Sequence, residues 1–360
     1  MSKAAELANL IGNINAGGGG VNRNVIINGA MNVAQRGTSF ASALGYTLDR
    51  YGYYRSGTGV VTVSQDTDTP TNFKNSLKVA VTTNDSSMAS GDYYIVQQKI
   101  EGQNIAHFNY GSSDAKTTCL SFFVKSSVTG TYSGSLRNNA SDRSFVFEYT
   151  VSSANTWEQQ SITIVGDTSG TWLTNNSAGI VLAFSLGQGT TYASSTVGSW
   201  HSGNYHGSTS EQDFITNASA TFFITGVQLE VGQNPTSFEH EKFSQTLERC
   251  QRYYRQWSSN DSGNSYTRIG IGVAQGSNVG VAQVVLSPDM RATPSNSTTG
   301  QLQAYNGNNL QDCDTAMDAG SARYIALIGV SNTSGFSVAQ PMELVAKSGA
   351  NNIFALVAEL

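Results

Sequence analysis

Apolar and polar residues alternate in short runs from Val60 onward, and each run is bounded by Gly, Asn, Asp or Ser. Such runs are predicted strands. They include VVTVSQ at 60–65, SLKVAVT at 76–82, DYYIVQQKI at 92–100, TCLSFFVKS at 118–126 and TYSGSLR at 131–137. SFVFEYTV at 144–151, WEQQSITIV at 157–165, IVLAFSL at 180–186 and FFITGVQLEV at 222–231 follow. In IVLAFSL one face holds Ile180, Leu182, Phe184 and Leu186; in FFITGVQLEV, Phe223, Val227, Leu229 and Val231 share a face opposite Gln228 and Glu230. One buried and one wet face per strand is the pattern of an antiparallel β-sandwich. The pattern resumes in TRIGIGVAQ at 267–275, NVGVAQVVL at 278–286, ARYIALIGV at 322–330 and NNIFALVAEL at 351–360, which predicts a second, smaller sandwich.

Between the two sets the period changes. GQNPTS at 232–237 supplies a turn, and Thr236 or Ser237 can cap a helix. Phe243, Leu247, Cys250, Tyr254 and Trp257 then recur at spacings of four, three, four and three, which is a heptad seam of about two repeats. Glu239, Glu241, Lys242, Glu248, Arg249, Arg252 and Arg255 fill the other positions, acids first and bases last, as the helix dipole favours. The seam has two readings: a rigid connector against the chain's own sandwiches, or three copies packed around an axis. At the other end, Ala4, Leu7, Ala8 and Ile11 fall at helical spacing before the glycines Gly17 to Gly20. A helix this short needs docking to be ordered, which makes Leu7, Leu10 and Ile11 candidate anchoring residues on a flexible tether. The glycine run is no phosphate loop, because no Lys-Ser/Thr follows it.

The expected organisation is therefore all-β with a short N-terminal helix: an anchoring helix and tether over 1–20, a sandwich over 21–238, a connecting helix over 239–258 and a second β-sandwich over 259–360. A chain of 360 residues accommodates two cores.

Charge is sparse. Charged residues make up 12% of the chain, about half of the roughly 25% usual for globular proteins. The surface is thus polar but weakly charged, suited to neutral hydrogen bonding with glycans or packed protein. A net charge of -5 without any basic cluster argues against a nucleic-acid partner. Three cysteines, Cys119, Cys250 and Cys313, encode neither a disulfide framework nor a zinc site and are expected as buried thiols. The first residues show neither a secretory signal nor a membrane span, so membrane insertion is not expected.

Catalytic chemistry finds little support. No G-x-S-x-G occurs, the four histidines sit in no catalytic motif, and carboxylates such as Asp114, Glu148, Asp167 and Glu211 are scattered. The expectation is a protein that is no enzyme and carries no cofactor or metal. TTNDSSMASGD at 82–92 offers Asn84, Asp85 and Asp92 as oxygen ligands for calcium, and an ordinary polar turn explains it equally. SWHSGNYHGSTSEQD at 199–213 is the most unusual loop: Trp200, His201, Tyr205 and His206 lie among small polar residues. Rings beside hydrogen-bonding groups are what a receptor or glycan site needs. The plainer reading is that the same aromatics pin the loop to the sandwich or to a neighbouring subunit.

Several segments resemble a family of bacteriophage tail-fibre and receptor-binding proteins. They are RNVIINGAMNVAQRGTS at 23–39, YTLDRY at 46–51, VQQKIEG at 96–102, SFFVKSSVTGTYSGSLRN at 121–138, ANTWEQQSITIVGDTSGTW at 154–172 and FFITGVQLEVGQNPTSFEH at 222–240, with QRYY at 251–254 and PDMRATPS at 288–295. The resemblance implies that the first domain is a jelly roll similar to carbohydrate-binding modules, and that the sandwiches are jelly-roll-like. It further implies a virion structural protein made in the host cytoplasm. That protein would be a homotrimer, bound to phage tail proteins through its N-terminus, with its distal domain facing a host cell-surface glycan or protein. Tyr51 stands where relatives often carry tryptophan, which removes one stacking platform. The reading from another class is an architectural virion protein, a head decoration or tail-associated component without receptor binding.

Overall fold

A computed structural model of the chain describes residues 2–15, 22–259, 266–331, 335–347 and 352–360. The predicted glycine tether, Gly17 to Gly20, lies outside the described residues. The chain divides into two compact units, one reaching to Thr246 and including Leu360, the other Leu247–Glu359. Both are built from antiparallel sheets, so the all-β class with jelly-roll-like sandwich architecture holds.

The first unit is a sandwich of two sheets. One has six strands in the spatial order Ser39–Phe40, Val60–Asp66, Ser76–Thr83, Thr221–Val231, Thr118–Ser126 and Glu158–Ile164. The other has seven, in the order Trp200–Ser202, Arg143–Val151, Gly130–Asn138, Ala178–Gln188, Tyr93–Glu101, Gly52–Arg55 and Gly45–Tyr46. Strict alternation sets what each strand buries: Ile180, Leu182, Phe184 and Leu186 enter the core with Tyr94, Val96, Leu120, Phe122, Leu136 and Phe147. Phe122 meets Tyr149 and Phe184 edge-on, each at 5.0 Å between ring centres. Each large apolar side chain so buried contributes about 1.5–3 kcal/mol.

One predicted face is corrected. Phe222 and Ile224 enter the core together with Val227, Leu229 and Val231, while Phe223 lies opposite, against Trp157 and Lys125. The register shifts between Thr225 and Gln228 at Gly226, whose φ of 63° suits a residue without a side chain. The extra residue swaps the faces, so strict alternation places the residues on one side of the shift wrongly.

The second unit closes its main sheet where an open sandwich was expected. Six strands form a barrel, Thr267–Ala274, Val279–Val285, Ile325–Ser331, Leu310–Met317, Leu302–Tyr305 and Pro341–Ala346, the last pairing back to the first. Ile269, Val284, Leu302, Ile328 and Leu344 fill it. A three-stranded sheet, Tyr254–Ser258, Ile353–Val357 and Ser295–Thr299, completes the unit. Ile271 and Val273 point outward although Ile269 is buried, because the register shifts between Arg268 and Gly270.

The connecting helix over 239–258 is also corrected. Helix occupies Phe243–Gln251 only, and Tyr254–Ser258 is a strand with Tyr254 opposite Val357 and Trp257 opposite Phe354. The five-residue seam therefore does not exist as one face. Phe243 is exposed, Leu247 half-buried and Cys250 buried, whereas Tyr254 is buried and Trp257 packs on the second core as strand residues. The run Tyr-Tyr-Arg-Gln-Trp is rich in aromatics that suit a pleated, half-buried surface better than a helix. Past the helix end, the Arg255 guanidinium donates to the carbonyls of Gln251 (3.2 Å) and Pro288 (2.8 Å), so it anchors the turn instead of decorating a helix.

Candidate functional site

The core-facing residues of the seven-stranded sheet leave a second set pointing away from it: Tyr93, Ile95 and Gln97, Val181, Ala183 and Ser185, Ser133, Ser135 and Arg137, Ser144 and Val146. Register aligns Gln97, Ala183, Ser135 and Val146 in one row and Val181, Arg137 and Ser144 in the next. Small residues in the middle of this outer face leave room for a covering segment, and residues 189–213 supply it.

That segment is fixed by polar contacts to the sheet. The Ser208 amide donates to Ser133 Oγ at 2.9 Å, and Ser144 Oγ donates to the Gly203 carbonyl at 2.5 Å. The approach is close enough that a Cβ at Gly207 would lie 2.2 Å from Ser133 Oγ. Glu211 is only half-buried as a residue, but its carboxyl tip is enclosed, taking hydrogen bonds from Ser133 and from Ser185 Oγ (2.8 Å). Burial raises that carboxyl to about 8 despite those donors, and burial also raises Asp213.

The four loop residues singled out in the sequence separate into two roles. Trp200 and His206 support. Trp200 pairs with Phe145 across the sheet, donates from Nε1 to the Val165 carbonyl at 2.7 Å, and packs edge-on to Tyr110 and Trp172. His206 is buried, stacked on Tyr192 with ring centres 4.5 Å apart and edge-on to Tyr93 at 4.8 Å. Burial, and then the nearby Arg137 charge, lower its pKa to about 2, so its ring stays neutral. His201 and Tyr205 are half-buried and tilt together at 5.0 Å, with His201 Nε2 2.9 Å from Ser194 Oγ.

Residues that the sequence reading missed complete the face. Tyr93, Gln97 and Tyr192 are half-buried and Asn204 is exposed. Arg137 lies beneath them, its guanidinium donating to Asn204 Oδ1 at 2.7 Å and Gln97 Oε1 at 3.3 Å. The strand bearing His201 and the strand bearing Gln97 are four steps apart in the sheet, about 19 Å at ~4.8 Å per step. The face thus offers rings and amides over an extended stretch. TYSGSLR held a partial signal, since its alternate Ser133, Ser135 and Arg137 exclude that face from an apolar core.

Among the described residues no three His, Cys, Asp or Glu side chains come together as a metal site. The 82–92 turn makes ordinary structural hydrogen bonds: Asp85 Oδ2 accepts from Tyr94 Oη at 2.6 Å, Asp92 Oδ2 from the Ala89 amide at 2.7 Å, and Asn84 donates to the Thr216 carbonyl. The three cysteines are buried thiols, and burial raises Cys119 and Cys313 to about 12, which makes those two inert. The N-terminal helix is longer than expected, Lys3–Asn15; Leu7 and Ile11 are exposed and Leu10 is half-buried. Among the described residues no helix is long and apolar enough to cross a membrane.

No protein-family model and no curated protein matches the chain. Solved structures do. A domain of bacteriophage CBA120 tailspike protein 4 is similar over 58% of this chain and 21% of its own, at 14% identity and a TM-score of 0.32. A family 11 carbohydrate-binding module from Clostridium thermocellum is similar over 56% of this chain and 98% of its own, at 12% identity and 0.29. A putative sugar binding protein from Bacteroides thetaiotaomicron is similar over 58% and 99%, at 11% identity and 0.33.

Proposed function

We propose that the chain is a non-enzymatic glycan-binding protein whose first unit presents to sugar the outer side of its seven-stranded sheet together with the 189–213 segment that covers it. The observation that carries this reading is the juxtaposition, where the 189–213 segment meets the sheet, of half-buried rings (Tyr93 on the sheet, Tyr192 and Tyr205 on the segment) with the amides of Gln97 and Asn204. Rings stack on sugar faces and amides bond hydroxyls, and here the sheet and the segment hydrogen-bonded to it position both. On the resemblance set out above, the setting is a phage tail fibre in the virion, a homotrimer with Leu7, Leu10 and Ile11 docking the N-terminal helix on the tail. Several weak sites on one particle then reach useful affinity by avidity.

One observation favours the architectural alternative. On the outside of the barrel Ile271 and Val285 are 70% and 71% exposed, an apolar surface suited to packing on another virion protein. Adsorption separates the two. Purified protein added to host cells before infection is expected to attach and to lower phage adsorption, and Tyr93→Ala with Tyr192→Ala to abolish both effects. Attachment by neither wild type nor variant, with defective particles when the gene is removed, assigns the chain to architecture.

A further inference from the structure

Arg137 is a buried cation without an anion. It is 5% exposed, and it donates only to the neutral side-chain oxygens of Asn204 and Gln97, while its Nε meets no acceptor. Two half-buried arginines of the same unit do face carboxylates: Arg143 grips Asp167 through Nε at 2.8 Å and Nη2 at 2.7 Å, and Arg23 Nε lies 3.4 Å from Glu230. A buried charge is costly unless paired, so an arginine facing only amides is an unfinished ion pair. Two further buried atoms of the same face also lack partners, Ser135 Oγ, two residues away along the strand, and His206 Nδ1. Glu211 of the covering segment is committed to Ser133 and Ser185.

We propose that this face takes a glycan carrying an anionic oxygen group, which pairs with the Arg137 guanidinium and gives Ser135 and His206 their missing partners. This inference rests on the glycan-binding reading above. Entry is through Asn204, whose exposed side chain follows Gly203 at a φ of 123° and whose neutral Oδ1 holds the position an anion takes. A carboxylate or phosphate meets the guanidinium as a full ion pair with two parallel hydrogen bonds, where the amide oxygen accepts one and brings no charge. Tyr93 and Tyr192, edge to face at 5.2 Å, stand beside the guanidinium as the ring surfaces for the attached sugar. The shared chemistry has two sources, the carboxylate of a uronic acid and the phosphodiester of a glycerol-phosphate polymer.

Isothermal titration of the full chain with oligogalacturonate, a poly(glycerol phosphate) fragment and a neutral cello-oligosaccharide of equal length tests this. One anionic oligomer is expected to bind at least tenfold more tightly than the neutral one, and which of the two binds names the source. Arg137→Gln is expected to lose that preference. Asn204→Asp, a change at an exposed position that sets a carboxylate on Arg137, is expected to lose it too while keeping at least the wild-type melting temperature. Equal binding of neutral and anionic oligomers, or undiminished anionic binding by Asn204→Asp, overturns the anionic assignment and leaves glycan binding standing. Binding of none of the three overturns both.

Discussion

Glu211 carries the clearest pH signature of the molecule. Burial raises its carboxyl from 4.5 to about 8, so the folded protein holds a proton there that the unfolded chain has released. The associated stability is complete below about pH 4.5, falls as the pH rises through the interval up to about 8, and is absent above it. The loss expected between pH 5 and 9 is on the order of 2 kcal/mol, less than the full shift implies because a half-exposed segment relaxes when the group ionises. Urea unfolding of wild type and Glu211→Gln checks it: the glutamine variant keeps its stability over that range, and parallel curves for the two proteins would show that Glu211 is ionised in the fold. At this scale the sequence was half legible. His201, Tyr205 and His206 lie with the segment over the outer face, whereas Trp200, opposite Phe145, turns inward onto the core. Tyr93 and Tyr94 are adjacent, however, and nothing in DYYIVQQKI says which ring enters the core, because both alternate sets contain apolar residues.

Elements were legible wherever alternation was strong and failed where a register shift or a change of period intervened. Thr118–Ser126 has the bounds its sequence pattern predicts, while Ser295–Thr299 and Leu302–Tyr305 carry too few apolar residues to show as strands. The stretch from Phe243 to Trp257 is instructive because its four-three spacing is genuine, yet the helix ends at Gln251 and the rest pairs with Ile353–Val357. Tertiary pairing outweighs helical periodicity there, since Trp257 gains contact with Phe354 at 5.9 Å between rings and with the second core. Trp257→Ala is accordingly expected to destabilise the second unit by about 2–3 kcal/mol, below the full cost of a buried tryptophan because the ring is only partly covered. Sedimentation should show an unchanged subunit number. A variant that keeps its stability but loses subunits would restore Trp257 to an intersubunit seam.

At the scale of the whole molecule, the presence of two β units was legible, whereas closure of the second into a barrel was not. Alternation records that a strand has one buried face but not whether a sheet's edges meet. Each unit has its own apolar cluster, one around Phe122, Leu136 and Phe184 and the other around Ile328, Leu344 and Phe354, and separate clusters melt as separate cooperative units. Calorimetry is therefore expected to resolve two transitions, which single core truncations assign. Leu136→Ala removes a fully buried side chain from the first cluster, a loss of about 3 kcal/mol that lowers one transition by roughly 6–12 °C. Phe354→Ala, equally buried in the second, is expected to lower the other transition and leave the first in place. If either substitution moves both transitions together, the units share their stability, and the outer face of the seven-stranded sheet then depends on the barrel for its order as well as on its own sheet.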